Sequence, residues 1–182
     1  MAYFSYATDI LGNQQGGRTV RHAQAMILAA LYIGQFAHIL ESRSWINSAC
    51  RVVMVLIKAD YNKLHRQFYR FGEDKEVLSA KERYRLNLVL CAYWTCLQLE
   101  SDILAELSTL SPSDITAFQN EMMYPAGVCD YFAVDGQWTE IIWLRVILNE
   151  AHNALYGASG NKNFDPSNVK DVTDHAKTHI DI

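Results

Sequence analysis

The chain has 182 residues, half of them hydrophobic, with 16 Lys and Arg against 20 Asp and Glu. This length and apolar content suffice to bury a core, so we expect a single domain over residues 1–182. The net charge of −4 leaves no positive excess to neutralise phosphates, which excludes direct nucleic-acid binding as an expected role of this segment.

The first two predicted helices form a hairpin. Thr19 is a suitable N-cap for a helix over residues 20–41, because its hydroxyl can accept a hydrogen bond from a free backbone N–H. Ser42 or Ser44 can cap the next helix, which contains the sequence WINSACRVVMVLIKAD. The apolar run of the first helix is nearly long enough to cross a membrane, but its His and Gln side chains would be costly in lipid. We therefore expect both helices to lie in a protein core.

A long central helix follows the hairpin. Ser79, with Glu82 three residues later, forms a capping-box pattern, which predicts a helix from near residue 80 to about residue 107. Its uncharged run at 86–99 is shorter than the roughly 20 residues that a membrane-spanning helix needs. The helix is apolar nearly all round, which is typical of an element enclosed by other helices.

Two more helices are predicted in the last third of the chain. One opens at Asp135 and closes at Gly157, where a left-handed cap is expected. The other begins at Asp165, with Pro166 in its first turn. No alternating strand pair and no repeat of fixed period is evident, so the predicted fold class is all-α, a multi-helix domain with orthogonal or bundle-like packing. The predicted connections are residues 68–77, 109–136 and 158–164.

The cysteines do not form a metal site or a disulfide framework. None of the four, at Cys50, Cys91, Cys96 and Cys129, belongs to a Cys-x-x-Cys pair, which favours buried thiols in a reducing compartment. Cys91 and Cys96 are five residues apart on one helix, so their side chains point about 140° apart and cannot face one ion. No secretory signal pattern is visible at the start of the sequence, and we expect an intracellular protein.

Three other groups of residues are candidates for chemistry or binding. His175 and His179, with Asp171 one turn earlier, could face one metal ion on the last predicted helix, although no HExxH-type motif completes the site. Asp102 and Glu106 share a helix face and could act as a carboxylate pair for acid-base chemistry, but such residues are usually a solvated face or partners for arginines. No Gly-x-Ser-x-Gly elbow is present, and we do not expect an enzyme. Aromatic side chains that could line a pocket for a small apolar ligand are Tyr93, Trp94, Trp138 and Trp143.

Three blocks of the sequence are similar to a known family. The first block is TVRHAQAMILAALYIGQFAHILESRSWINSACRVVMVLIKADYNKLHR, which reads as two helices with Trp45, Ala49 and Arg51 in the second. The next block is KERYRLNLVLCAYWTCLQLESDILAEL, which has a start rich in Glu and Arg. The last block is LSPSDITAFQNEMMYP, a proline-containing loop and an acidic, aromatic segment. In order and spacing they resemble the regulatory, or middle homology, domain of fungal zinc-cluster transcription factors, strongly over residues 19–125 and loosely over 135–182.

The resemblance implies an all-α regulatory domain, or a fragment of one, that modulates transcription in the nucleus. It implies contacts with the transcription machinery or co-regulator proteins, and it leaves a small-molecule effector open. The six-cysteine cluster that binds two zinc ions and DNA in this family is absent from the sequence, so no cofactor, DNA contact or catalytic residue is implied for this chain. No membrane partner is expected. The family domain is commonly larger, and apolar surface left by missing helices would favour a homo-oligomer.

Two alternatives to the regulatory interpretation stay open. A standalone helical protein could bind a small molecule between its aromatic side chains. A metal-dependent helical enzyme could use Asp171, His175 and His179.

Overall fold

The computed structural model describes residues 2–13, 17–73, 79–107, 110–124 and 137–156. These residues form helices and no strands, so the predicted all-α class is confirmed for the described part of the chain. In chain order the elements are α1 (Ala2–Asn13), α2 (Val20–Gly34), α3 (Ile39–Glu73), α4 (Ala80–Glu106), α5 (Asp114–Ala117), a short 3-10 helix (Gln119–Glu121) and α6 (Gln137–Tyr156).

The chain divides into two compact units, residues 1–136 and residues 137–182. The first unit contains α1 to α5, and α6 belongs to the second. Helix α6 lies within the range predicted for a helix from Asp135 to Gly157, although those two end residues, like the helix predicted from Asp165, lie outside the described residues. The single-domain organisation over residues 1–182 stays a prediction.

Helices α2 and α3 form the predicted hairpin, but the boundary between them was predicted wrongly. Helix α2 starts after Thr19 as expected and ends at Gly34, not at residue 41. The chain then turns with Ala37 in the left-handed region at φ 60°, and the Ala37 N–H donates to the Gly34 carbonyl over 3.0 Å. An alanine in this conformation breaks the helix, and alanine is not a residue type that predicts a turn.

The predicted serine caps of α3 are also wrong. Because α3 already starts at Ile39, both Ser42 and Ser44 lie inside the helix. The buried Ser42 hydroxyl donates to the Ala30 carbonyl of α2 over 2.9 Å, so it joins the two helices and does not cap either. Helix α3 spans 35 residues and continues to Glu73, into the connection predicted over residues 68–77, because no Gly or Pro interrupts it before Gly72.

Helix α4 is the central element of the first unit, and its predicted start is confirmed. The Ser79 hydroxyl accepts from the Glu82 N–H, and the Glu82 carboxylate accepts from the Ser79 N–H, which completes the capping box. Among the described helices, α4 alone is long and apolar enough to cross a membrane, with a mean hydropathy of 1.2 over an 18-residue stretch. Half of that stretch is buried by the rest of the protein, as expected for the core helix of a bundle.

The core of the first unit lies between α2, α3 and α4. Each helix contributes apolar residues three or four positions apart, so a continuous stripe faces its neighbours. Helix α1, which was not predicted, packs on α2 through stacked rings of Phe4 and Tyr32, whose centroids are 4.3 Å apart. The stripe residues with at most 5% exposure include Met26, Ala30 and Ile33 of α2, Ile46, Ala49, Val53 and Ile57 of α3, and Leu86, Leu90, Trp94 and Leu97 of α4.

Candidate functional site

A polar cluster in the described interior surrounds Glu100 of α4, which is only 1% exposed. One oxygen of its carboxylate accepts from the Ser113 N–H over 2.9 Å. The other accepts from the hydroxyls of Ser113, over 2.9 Å, and Thr116, over 2.8 Å. A buried carboxylate is costly unless hydrogen bonds replace its hydration, and these donors do so. Glu100 therefore fixes the loop before α5 against α4.

Residues 110–124, which we call the bridging segment, connect α4 to α3. The Ser113 hydroxyl also accepts from the Ile115 N–H over 3.3 Å, which caps the first turn of α5. On the α3 side, Lys58 forms an ion pair with Asp114 at 2.9 Å, and the Tyr61 hydroxyl donates to the Glu121 carbonyl over 2.9 Å. The bridging segment is therefore held on two helices at once by polar contacts.

Two buried thiols lie beside this carboxylate. Cys50 of α3 is 1% exposed, and Cys96 of α4 is 0% exposed. Interaction with the Cys96 thiol, burial, and the negative charge of Glu100 raise the pKa of the Cys50 thiol far above its ordinary value. A reactive cysteine needs the opposite, a thiolate stabilised by positive surroundings. Cys50 is therefore a protonated core thiol, as predicted from the absence of Cys-x-x-Cys pairs.

The predicted pocket aromatics Tyr93 and Trp94 lie in the core with 0% exposure. The Tyr93 hydroxyl donates to the Ile115 carbonyl over 2.9 Å, and the Trp94 indole N–H donates to the Met123 carbonyl over 3.0 Å. Burial, followed by the charges of nearby groups, raises the pKa of Tyr93 well above its ordinary value. Both rings thus anchor the bridging segment.

The remaining two pocket aromatics belong to the second unit. Trp143 is a half-buried residue of α6, and the side chain of Trp138 lies outside the described residues. A shared ligand pocket of Tyr93, Trp94, Trp138 and Trp143 stays a prediction.

The carboxylate pair lines a surface depression of about 290 Å³. Asp102 and Glu106 are exposed residues of α4, and the opposite side of the depression is formed by the end of α2 and the start of α3. Both α2 and α4 end at this depression, and the C-terminus of a helix carries partial negative charge. The start of α3 brings the opposite partial charge to the same place, and the Ser42 hydroxyl that lines the depression donates to the Ala30 carbonyl. Its other lining residues are Gly34, Ala37, Ile39, Ser42 and Ile103.

No group of three or more His, Cys, Asp or Glu side chains within the described ranges is placed to hold a metal ion. The predicted metal residues Asp171, His175 and His179 lie outside those ranges, so the metal site stays a prediction.

The buried site could not be read from the sequence. Glu100 is separated from Ser113 by 13 residues, and only the fold brings them together. The one available signal was a single glutamate at the end of a long uncharged run, because such a residue needs donors if it is buried.

Comparison with known proteins found no matching family model, no similar curated protein and no similar solved structure. The similarity to the fungal regulatory domains therefore depends on the quoted residues alone.

Proposed function

We propose that this chain is a regulatory domain of a fungal zinc-cluster type transcription regulator that acts in the nucleus through protein contacts. One observation carries the proposal. The three sequence blocks that resemble the family contact one another in the first unit. The third block is held on the second by Glu100, Tyr93 and Trp94, and on the first by Lys58 and Tyr61. If the chain shares the architecture of the fungal regulatory domains, the blocks that resemble them must pack together.

The chemistry of the described interior also supports a scaffold. The polar groups of Glu100, Tyr93 and Trp94 are engaged in hydrogen bonds to the bridging segment, and Cys50 is held in its protonated form. An acid, base or nucleophile must be free to reach a substrate. The engagement of these groups in structural hydrogen bonds supports a scaffold role.

Exposed apolar side chains on α1 and α2 support a role in protein contacts. Tyr3, Tyr6 and Ile10 of α1 are 93%, 70% and 45% exposed, and their spacing of three and four residues places them on one helix face. Leu28 of α2 is 67% exposed and Leu31 is 44% exposed. Clustered apolar side chains on the surface of a soluble domain commonly bind another protein. A transcriptional regulator acts through such surfaces.

The proposal is tested by fusing the chain to an unrelated DNA-binding domain and measuring reporter transcription. We expect the fusion to change transcription or to silence an attached activator. Because no single polar group performs chemistry, Asp102→Ala and His175→Ala leave that effect nearly intact. Leu90→Asp abolishes it, because an unpaired carboxylate in the core unfolds a marginal domain.

Two tyrosines provide a matched test of the contact surface. Tyr6→Ser removes an exposed ring of α1, and Tyr84→Ser removes a ring of α4 that is 55% exposed. We expect Tyr6→Ser to weaken the transcriptional effect several-fold while both variants unfold at nearly the same temperature as the unmodified chain. A fusion that is silent in transcription although folded would contradict the proposal.

A further inference from the structure

The bridging segment begins with the one Ser-Pro dipeptide of the chain, Ser111-Pro112, and the sequence contains no Thr-Pro. Both residues are exposed, and neither is in a helix. Proline fixes its own backbone and disfavours a helical conformation for the residue before it. Ser111 is therefore an exposed serine on non-helical backbone with proline directly after it. This arrangement is the substrate pattern of proline-directed protein kinases.

Arg43 of α3 lies beside this serine with hydrogen-bonding capacity to spare. Its Nη2 donates to the Ser111 carbonyl over 2.6 Å. Its Nε is buried and has no hydrogen-bond partner among the described residues. Within the same residues Arg43 forms no ion pair, whereas Lys58 and Arg85 each have a carboxylate partner. A guanidinium presents five N–H donors, and after the buried Nε and the one Nη2 donor in use, about three of those of Arg43 remain for an anion.

We propose that Ser111 is a phosphorylation site for a proline-directed serine/threonine kinase and that Arg43 binds the phosphate. In the reaction the Ser111 Oγ forms a bond to the γ-phosphorus of ATP, the bond from that phosphorus to the bridging oxygen breaks, and ADP leaves. The hydroxyl proton passes to the catalytic carboxylate of the kinase. The inference does not depend on a role in transcription, because it uses only the exposure of Ser111 and the position of Arg43.

Phosphorylation would strengthen the connection between α3 and the bridging segment. A phosphoserine carries a charge of about −1.5 to −2 near neutral pH and three acceptor oxygens. Arg–phosphate pairs are commonly bidentate and are stronger than hydrogen bonds between neutral groups. Two carboxylates that contact the start of the bridging segment or belong to it are already engaged, since Glu100 accepts from Ser113 and Asp114 pairs with Lys58. Arg43 is therefore the available partner for the new charge.

The first experiment incubates the full chain with a proline-directed kinase and ATP and maps phosphate by mass spectrometry. We expect one phosphate on Ser111, and none in Ser111→Ala or Pro112→Ala. A synthetic peptide covering residues 107–117 serves as the control for kinase activity. If the peptide is phosphorylated and the folded chain is not, or if the phosphate is found at another residue, the proposed site is wrong.

A second experiment tests the role of Arg43 by thermal unfolding with and without phosphate. We expect phosphorylation to raise the unfolding temperature by roughly 3 °C, the size of shift that a charge-assisted pair gives in a chain of this length. The rise should disappear in Arg43→Gln and persist in Arg51→Gln, which changes an exposed arginine of the same helix. Arg43→Lys, which keeps the charge without the planar group, should show a smaller rise. Equal rises in all variants, or a fall, would overturn the assignment of Arg43.

Discussion

Replacement of Glu100 by alanine should destabilise the first unit strongly. The change removes the acceptor of three hydrogen bonds, from the Ser113 N–H, the Ser113 hydroxyl and the Thr116 hydroxyl. Hydrogen bonds to charged groups contribute about 1.5–3 kcal/mol each, and a buried donor left unpaired costs about 1–3 kcal/mol. Because these donors are only part-buried and can partly turn to water, we expect a loss of about 3 kcal/mol in the free energy of unfolding.

Glu100→Gln separates the effect of charge from that of shape. The amide oxygen can still accept from the Ser113 N–H, and the hydroxyls of Ser113 and Thr116 can rotate to accept from the amide NH₂. We therefore expect a smaller loss, of about 1 kcal/mol. Glu106→Ala, at an exposed position of the same helix, should change stability by less than about 0.5 kcal/mol and serves as the matched control.

The assay is urea-induced unfolding followed by circular dichroism. A lower midpoint with an unchanged slope reports lost stability without a change in the denatured state. If Glu100→Ala lost less than about 1 kcal/mol, or if Gln cost as much as Ala, the buried carboxylate would not be organising the bridging segment as we infer.

Three further predictions concern the same unit. Ala37→Gly should raise the free energy of unfolding by up to about 1 kcal/mol in urea titrations, because glycine adopts φ 60° without strain. A lower free energy of unfolding in this variant would show that Ala37 is not strained. Leu90→Ala should lower the free energy of unfolding by about 3 kcal/mol, and Leu28→Ala, at an exposed position, should lower it far less. Equal unfolding midpoints for the two variants would show that α4 is not the core helix. The pKa of Cys50 is higher in the folded state than its unfolded-state value of 9.0. The protonated thiol therefore makes its full contribution to the free energy of unfolding below pH 9.0, and this contribution is lost as the pH rises above 9.0. Stability should therefore fall above about pH 9, and less steeply in Cys50→Ala; an equal fall in both would contradict the raised pKa.

Helix boundaries that are marked by a local sequence motif were predicted correctly. The Ser79–Glu82 box is complete within four residues, and it gave the start of α4 correctly. The turn after α2 contains Ala37 in the left-handed conformation, which alanine rarely adopts, so the residue type does not indicate the turn. Ser42 resembles a helix cap in sequence, yet its hydroxyl is used between helices. Boundaries that tertiary contacts decide are the ones that sequence patterns miss.

The candidate site could not be predicted from the sequence, because tertiary contacts decide which residues meet there. The neighbours of Glu100 come from three parts of the chain, with Cys50 on α3, Cys96 on its own helix and Ser113 after it. Residue types alone placed Cys50 and Cys96 correctly as free thiols, because they lack the spacing of a ligand set. Which of them meet, and which donors surround the carboxylate, is determined by how α3 packs on α4.

The bridging segment has a consequence for synthesis on the ribosome, where residues 110–124 emerge after the helices that they join. Until they emerge, the Tyr93 hydroxyl and the Trp94 indole N–H have no Ile115 and Met123 carbonyls to donate to, and Glu100 has none of its donors. A nascent chain that ends at α4 would have to bury these polar groups without hydrogen-bond partners in order to form its core. Buried polar groups without partners are rare in proteins. We expect a chain truncated after Leu107 to expose α4 and aggregate, and extension through Tyr124 to restore cooperative unfolding.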